Sequence, residues 1–97
     1  MRVVSRKHLR QFADREPRAR AHIEAWYAEA KHAAWKTPAE IKAKYGSASI
    51  LKAGRVVFNI CGNEYRLVVK INYDFGCLYV RFLGTHAEYD KIDANTI

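Results

Sequence analysis

The stretch Arg55-Val-Val-Phe-Asn-Ile-Cys-Gly-Asn-Glu-Tyr-Arg-Leu-Val-Val-Lys-Ile-Asn-Tyr-Asp-Phe-Gly-Cys-Leu-Tyr-Val-Arg81 decides the fold. From Arg55 onward apolar and polar residues alternate with period two, the mark of strands with one buried face. Gly62-Asn63 is a two-residue hairpin signal, and Phe75-Gly76 marks a second tight turn. The first turn pairs Arg55 with Lys70 and Asn59 with Arg66. The second pairs Lys70 with Arg81 and Arg66 with Thr85. One face then carries Val56, Phe58, Ile60, Tyr65, Leu67, Val69, Ile71, Leu78, Val80 and Phe82. It is almost purely apolar and needs a covering layer. The other carries Arg55, Val57, Asn59, Arg66, Val68, Lys70, Asn72, Tyr79 and Arg81, and is expected to be open. Like charges opposed across a sheet weaken it, so a level row of Arg55, Lys70 and Arg81 predicts an anionic ligand.

Upstream, the periodicity is helical. Met1-Arg-Val-Val reads as a short edge strand, with Ser5 capping a helix whose apolar positions are Leu9, Phe12 and Ala13. Pro17 suits the first turn of a second helix, with the stripe Ile23, Trp26, Tyr27, Ala30, Ala33 and Ala34. That stripe is a core face, not a ligand site. Thr37-Pro38-Ala39-Glu40 is a capping box opening a third helix that Gly46 ends, and residues 46–54 read as a loop. Beyond Arg81, Gly84-Thr-His-Ala-Glu-Tyr-Asp-Lys-Ile-Asp93 reads as strand exit and a short helix. The expectation is a single α+β domain over 1–97. It is mainly helical over 1–46 and antiparallel over 55–85, with a C-terminal helix over 86–93.

The chain is 97 residues long, enough for one modest core. Its net charge of +7 favours a polyanionic partner: nucleic acid, an acidic protein or a membrane surface. Residues 1–52 hold 12 basic and 5 acidic groups, and residues 53–97 hold 5 of each. The acids of the second half avoid the strands, so its neutrality hides a basic face. No apolar run reaches membrane-span length, and the basic N-terminus lacks the apolar segment of a signal peptide, so a cytoplasmic protein is expected. Cys61 and Cys77 fall on the order of 25 Å apart in the proposed register, too far for a disulfide. No Cys, His or carboxylate cluster has metal-site spacing, and there is no phosphate-binding glycine loop or nucleophile elbow. No cofactor is expected.

A ribonuclease that uses the neighbouring 2′-OH as nucleophile needs a base, an acid and cations for the developing phosphorane charge. Arg66 and Arg81, with Lys70 between their strands, are the candidate cations. His86 is the natural acid or base near neutrality, or equally a structural hydrogen-bonding group at a strand end. Tyr89 either stacks on a base, donates a proton or packs the terminal helix. Arg55, Asn59, Tyr79 and Lys91 are candidate RNA contacts, although Asn59 beside the turn also suits a stabilising role. His8, His22 and His32 have no ligand spacing. A non-catalytic module that binds RNA by occupancy alone would use the same face. A third possibility, an acidic partner on the helical half, would rest on Arg18 and Arg20.

Two blocks carry a family likeness: Phe58-Asn-Ile-Cys-Gly-Asn-Glu-Tyr-Arg-Leu67 and Arg81-Phe-Leu-Gly-Thr-His-Ala-Glu-Tyr-Asp90. The sequence resembles the HigB-type toxins of bacterial type II toxin–antitoxin systems, within the RelE-like group, over most of its length. The resemblance implies helices on one face of a small antiparallel sheet. It also implies a metal-independent endoribonuclease that cuts mRNA, often in the ribosomal A site of the 70S ribosome. Neutralisation by a cognate helix-turn-helix antitoxin of HigA type is implied as well. The matching catalytic positions would be Arg66, Lys70, Arg81, His86 and Tyr89.

Overall fold

The structure is a computed structural model and describes residues 1–97. In chain order the elements are β1 (Arg2–Val4), α1 (Lys7–Arg15), a 3-10 turn (Pro17–Ala19), α2 (Arg20–His32), α3 (Pro38–Lys44), β2 (Ser49–Ile50), β3 (Arg55–Ile60), β4 (Tyr65–Asn72), β5 (Cys77–Thr85) and α4 (His86–Tyr89). The five strands form one sheet in the order β1-β5-β4-β3-β2. The edge strand read from Met1-Arg-Val-Val is present, but it runs parallel to β5, so the sheet is mixed and not wholly antiparallel. The expected loop 46–54 supplies the other edge, a two-residue strand pairing with Val56 and Val57.

The helices begin where local chemistry favours them, with one exception. Thr37 and Glu40 form the full capping box, with Pro38 at the first helical position. Ser5 does not cap α1: it sits at φ 67°, and Arg6 occupies the cap position with no side-chain bond. Pro17 opens a 3-10 turn that leads into α2. Of the predicted stripe, Ile23, Trp26 and Ala30 are buried, whereas α2 ends at His32 and leaves Ala34 exposed. Trp35 takes the place in the core expected of Ala34.

The main core lies between helices and sheet. Val56, Phe58, Ile60, Tyr65, Leu67, Val69, Ile71, Leu78 and Val80 meet Leu9, Phe12, Ile23, Trp26, Trp35 and Ile41 there. Phe58 is its centre, with Trp26 at 5.4 Å, Tyr45 at 5.0 Å and Trp35 at 6.3 Å between ring centroids. Edge-on and offset contacts of this kind add to area burial.

The register departs from expectation at one place. β3 and β4 pair as predicted, Arg55 with Lys70 and Asn59 with Arg66. β4 and β5 do not: Lys70 opposes Tyr79, Arg66 opposes Gly84, and a bulge lies between Val68 and Val69. Val68 faces Phe82 and Val69 faces Val80, which leaves Arg81 as the extra residue. A bulge adds one residue to one strand and reverses side-chain parity beyond it. Phe82 therefore leaves the helical side and Leu83 joins it. Both turns are also longer than read. The first spans 61–64, with positive φ at Cys61 and Gly62, not Asn63. The second spans 73–76, with Gly76 at φ +65°, a value that L side chains rarely adopt.

The second sheet face is not open. Val57, Val68 and Phe82 make a row across β3, β4 and β5. The chain after α4 lies across that row, placing Ile92, Ala94 and Ile97 with Tyr89 and Leu51 on Val57 and Val68. Val68 has no exposed surface and Val57 only 3%. The terminal helix is also shorter than the predicted 86–93, since it ends at Tyr89 and gives way to turns. Three apolar residues in line on this face attract the tail by the same burial that holds the main core.

Candidate nucleic-acid interface

The tail divides the basic face into two ends. At one end, beside the β4–β5 turn, an open cleft of about 600 Å³ is lined by Gly54, Lys70, Ile71, Asn72, Tyr73, Asp74, Tyr79 and Arg81. Pairing sets Lys70 directly across from Tyr79, and the bulge carries Arg81 to the same cleft. Arg81 is exposed, and neither it nor Lys70 has a carboxylate within ion-pair distance. Unpaired cations at a concave surface are poised for an external anion. Asp74 is the one acid in the lining. The Tyr73 hydroxyl is buried without a partner, and burial raises its pKa above the ordinary phenol value, so it stays protonated at neutral pH.

At the other end are Arg66 and α4. Arg66 and Lys70 are four residues apart on β4, about 13 Å. The predicted cluster of Arg66, Lys70, Arg81, His86 and Tyr89 is therefore two groups and not one. The Arg66 guanidinium folds back on the first hairpin turn, donating to the carbonyls of Asn63 at 2.8 Å and Tyr65 at 3.3 Å. His86 is exposed, with Nδ1 3.1 Å from the Asp90 carboxylate one helical turn on. A carboxylate on Nδ1 fixes the ring and leaves Nε2 free for a proton or a phosphate. Tyr89 does not share His86's surroundings: it packs half-buried on Val57, Val68 and Ala94.

Two further candidates are engaged within the fold. Arg55 Nε donates to the Ile97 main-chain oxygen at 2.7 Å, so Arg55 clasps the tail. Asn59 Nδ2 donates to the Ser47 carbonyl at 3.3 Å, tying β3 to the loop before β2. Tyr79 and Lys91 are exposed, but only Tyr79 lines the cleft. In the helical half, Arg18 and Arg20, the residues that would serve an acidic partner, are ion-paired to Glu64 and Asp14.

The structure also shows a support that the sequence reading missed. Glu88 caps α4: its carboxylate accepts from the Thr85 amide at 2.9 Å, and the Thr85 hydroxyl accepts from the Glu88 amide at 3.2 Å. Arg15 of α1 closes on the same carboxylate with two bonds, at 2.5 and 3.1 Å. These contacts, the Arg15 bond foremost, pull the Glu88 pKa down to about 2. The guanidinium also lies 4.6 Å over the Phe12 ring, which meets Tyr65 edge-on at 5.1 Å. A path of contacts thus ties the helical layer to the strand end that carries His86. The Thr-x-x-Glu spacing of Thr85 and Glu88 was the available signal for it.

No group of three or more His, Cys, Asp or Glu side chains is arranged to hold a metal ion. Both cysteines are free. No helix is long and apolar enough to cross a membrane.

Comparison with known proteins gives the family. A family of RelE-like toxic components of toxin–antitoxin systems, the HigB toxins, matches residues 19–92. The mRNA interferase toxin HigB of Escherichia coli strain K12 is 29% identical over 96 residues, covering 97% of this chain and 92% of the relative. An mRNA interferase HigB of Shigella flexneri matches to the same extent. One from Escherichia coli O6:H1 is 24% identical over 94 residues, covering 95% and 91%. An α+β sheet with helices on one side, a short terminal helix and a match across most of the chain together place this protein in the HigB toxin family, the RelE-like toxic components of toxin–antitoxin systems.

Proposed function

We propose that this protein is an endoribonuclease that cuts mRNA by attack of a 2′-OH on the adjoining phosphate, and so arrests translation. The observation that carries this reading is the cleft where Lys70 and Arg81, free of internal partners, flank Tyr79. Cutting fits what the relatives are named, mRNA interferases. In this reading Arg81 holds the non-bridging oxygens and stabilises the phosphorane, a role suited to its planar fork. Lys70 lies beside it to share the 2′-OH proton. The 2′-oxygen–phosphorus bond forms as the phosphorus–5′-oxygen bond breaks, giving a 2′,3′-cyclic phosphate and a 5′-hydroxyl that takes its proton from solvent. Tyr79 supports the sugar or base. Arg66, the His86–Asp90 pair and Lys91 hold flanking phosphates of the same strand. Tyr89 serves the tail's packing. The reaction works in the cytoplasm on ribosome-bound message, and the antitoxin that the family implies is a helix-turn-helix protein.

The test is to map mRNA 5′ ends after induction. New discrete ends with the wild type, lost with Arg81→Ala, are expected. Arrest without new ends would mean inhibition by occupancy. Undiminished cutting by a folded Arg81→Ala protein would remove the cleft from the chemistry. His86→Ala is expected to weaken cutting without abolishing it. Complete loss would move the chemical centre to the α4 end.

A further inference from the structure

Phe75 is the most exposed large apolar side chain, at 80%, against 39% for Ile50 and 37% for Tyr79. It belongs to neither hydrophobic cluster and to no aromatic pair. The turn beneath it is nevertheless well built. The Phe75 amide donates to Asn72 Oδ1 at 3.1 Å, and the Gly76 carbonyl accepts from the Arg2 amide at 2.8 Å. A Phe here adds nothing to folding, since its ring stays in water and a polar residue would serve the turn as well.

We propose that Phe75 is a stacking platform for an unpaired base of the RNA strand whose phosphate occupies the cleft. The inference rests on the reading of the cleft as an RNA site. The two preceding residues, Tyr73 and Asp74, line that cleft, and Phe75 follows them in the same turn. Exposed Arg2 on β1, beside the start of β5, adds a cation on this side to Lys70 and Arg81. Aromatic faces set among unpaired cations are how proteins hold single strands without reading sequence. The cations select a polyanion, and the ring selects one with exposed bases.

The experiment measures binding of a short single-stranded RNA, 2′-O-methylated throughout so that it cannot be cut, to wild type, Phe75→Ala, Phe75→Leu, Phe75→Trp and Arg81→Ala. One stacked base contributes about 1–3 kcal/mol, so Phe75→Ala and Phe75→Leu are expected to bind about 5- to 150-fold more weakly. Phe75→Trp keeps affinity, and its indole fluorescence changes on binding against two buried tryptophans. Equal affinity of Phe75→Ala and wild type, while Arg81→Ala loses binding, overturns the stacking role and leaves the cleft reading intact. Phe75→Leu matching Phe75→Trp also overturns it. Failure of wild type to bind or cut RNA overturns both.

Discussion

Gly54 stands at the entry to β3 and lines the cleft, and replacing it with Ala is a quantitative test of how that wall is built. It has φ +77°, and its carbonyl accepts from the Ile71 amide at 2.8 Å. A Cβ there would lie 2.4 Å from the Ile71 carbonyl oxygen, which is main chain and cannot swing aside. The left-handed backbone alone costs an L residue about 1–2 kcal/mol. Relief of the contact requires the two segments to part by about 1 Å, which weakens a hydrogen bond worth about 1 kcal/mol. Gly54→Ala should therefore lose about 3 kcal/mol, or about 12–20 °C in Tm for a domain of this size. Gly76 supplies the control: φ is +65°, but nothing lies within 4 Å of its added Cβ. Gly76→Ala should lose about 1 kcal/mol, and Gly46→Ala, with open space and no positive φ, close to nothing. Thermal unfolding of the three variants measures the steric term as a difference. Losses at Gly54 and Gly76 that agree within about 0.5 kcal/mol would refute the close approach to Ile71.

Further predictions concern the covered face and the α4 support. Val68→Ala and Val69→Ala point to opposite faces, yet both side chains are fully buried, so each should cost about 2 kcal/mol in urea unfolding. A near-neutral Val68→Ala would mean that the tail does not cover the sheet. Glu88 has its pKa depressed from 4.5 to about 2, so its contribution is present above pH 4.5 and is lost as pH falls towards 2. The full shift corresponds to about 3 kcal/mol, but a carboxylate 42% exposed is screened, and about 1 kcal/mol is expected. The stability gap between wild type and Glu88→Gln should accordingly close between pH 4.5 and 2. A gap independent of pH would remove the charge from the account. Arg15→Ala should shrink the same gap and weaken RNA affinity, since α4 carries flanking-phosphate contacts, while single-turnover cleavage at saturating RNA stays near wild type.

Local chemistry was legible where few residues settle it. The capping box at Thr37 and Glu40, the first hairpin's register and the apolar face from Val56 to Val80 all follow from side-chain alternation and turn chemistry within short spans. The bulge was not legible. It adds Arg81 on β5 opposite the junction of two valines that look alike in sequence, and its position is chosen by packing on both faces at once. From that slip comes Phe82 on the tail side, while the longer turn over 73–76 sets Tyr79 and not Arg81 opposite Lys70. The internal bonds of Arg55 and Asn59 were not legible for a related reason. Sequence shows a polar side chain on a face but not the distant main-chain oxygen that will claim it, Ile97 in one case and Ser47 in the other.

Composition and periodicity were enough to establish the two-faced sheet, its helical cover and a concentration of cations near its strands, because alternation and charge are properties of short segments. Which cations remain free was settled by contacts between residues far apart in the chain. The tail settles on Val57 and Val68, Arg15 reaches Glu88, and a bulge delivers Arg81 beside Lys70 and Tyr79. Such contacts are selected by the burial and hydrogen bonding of the whole molecule, so the site takes its shape only when every layer is in place.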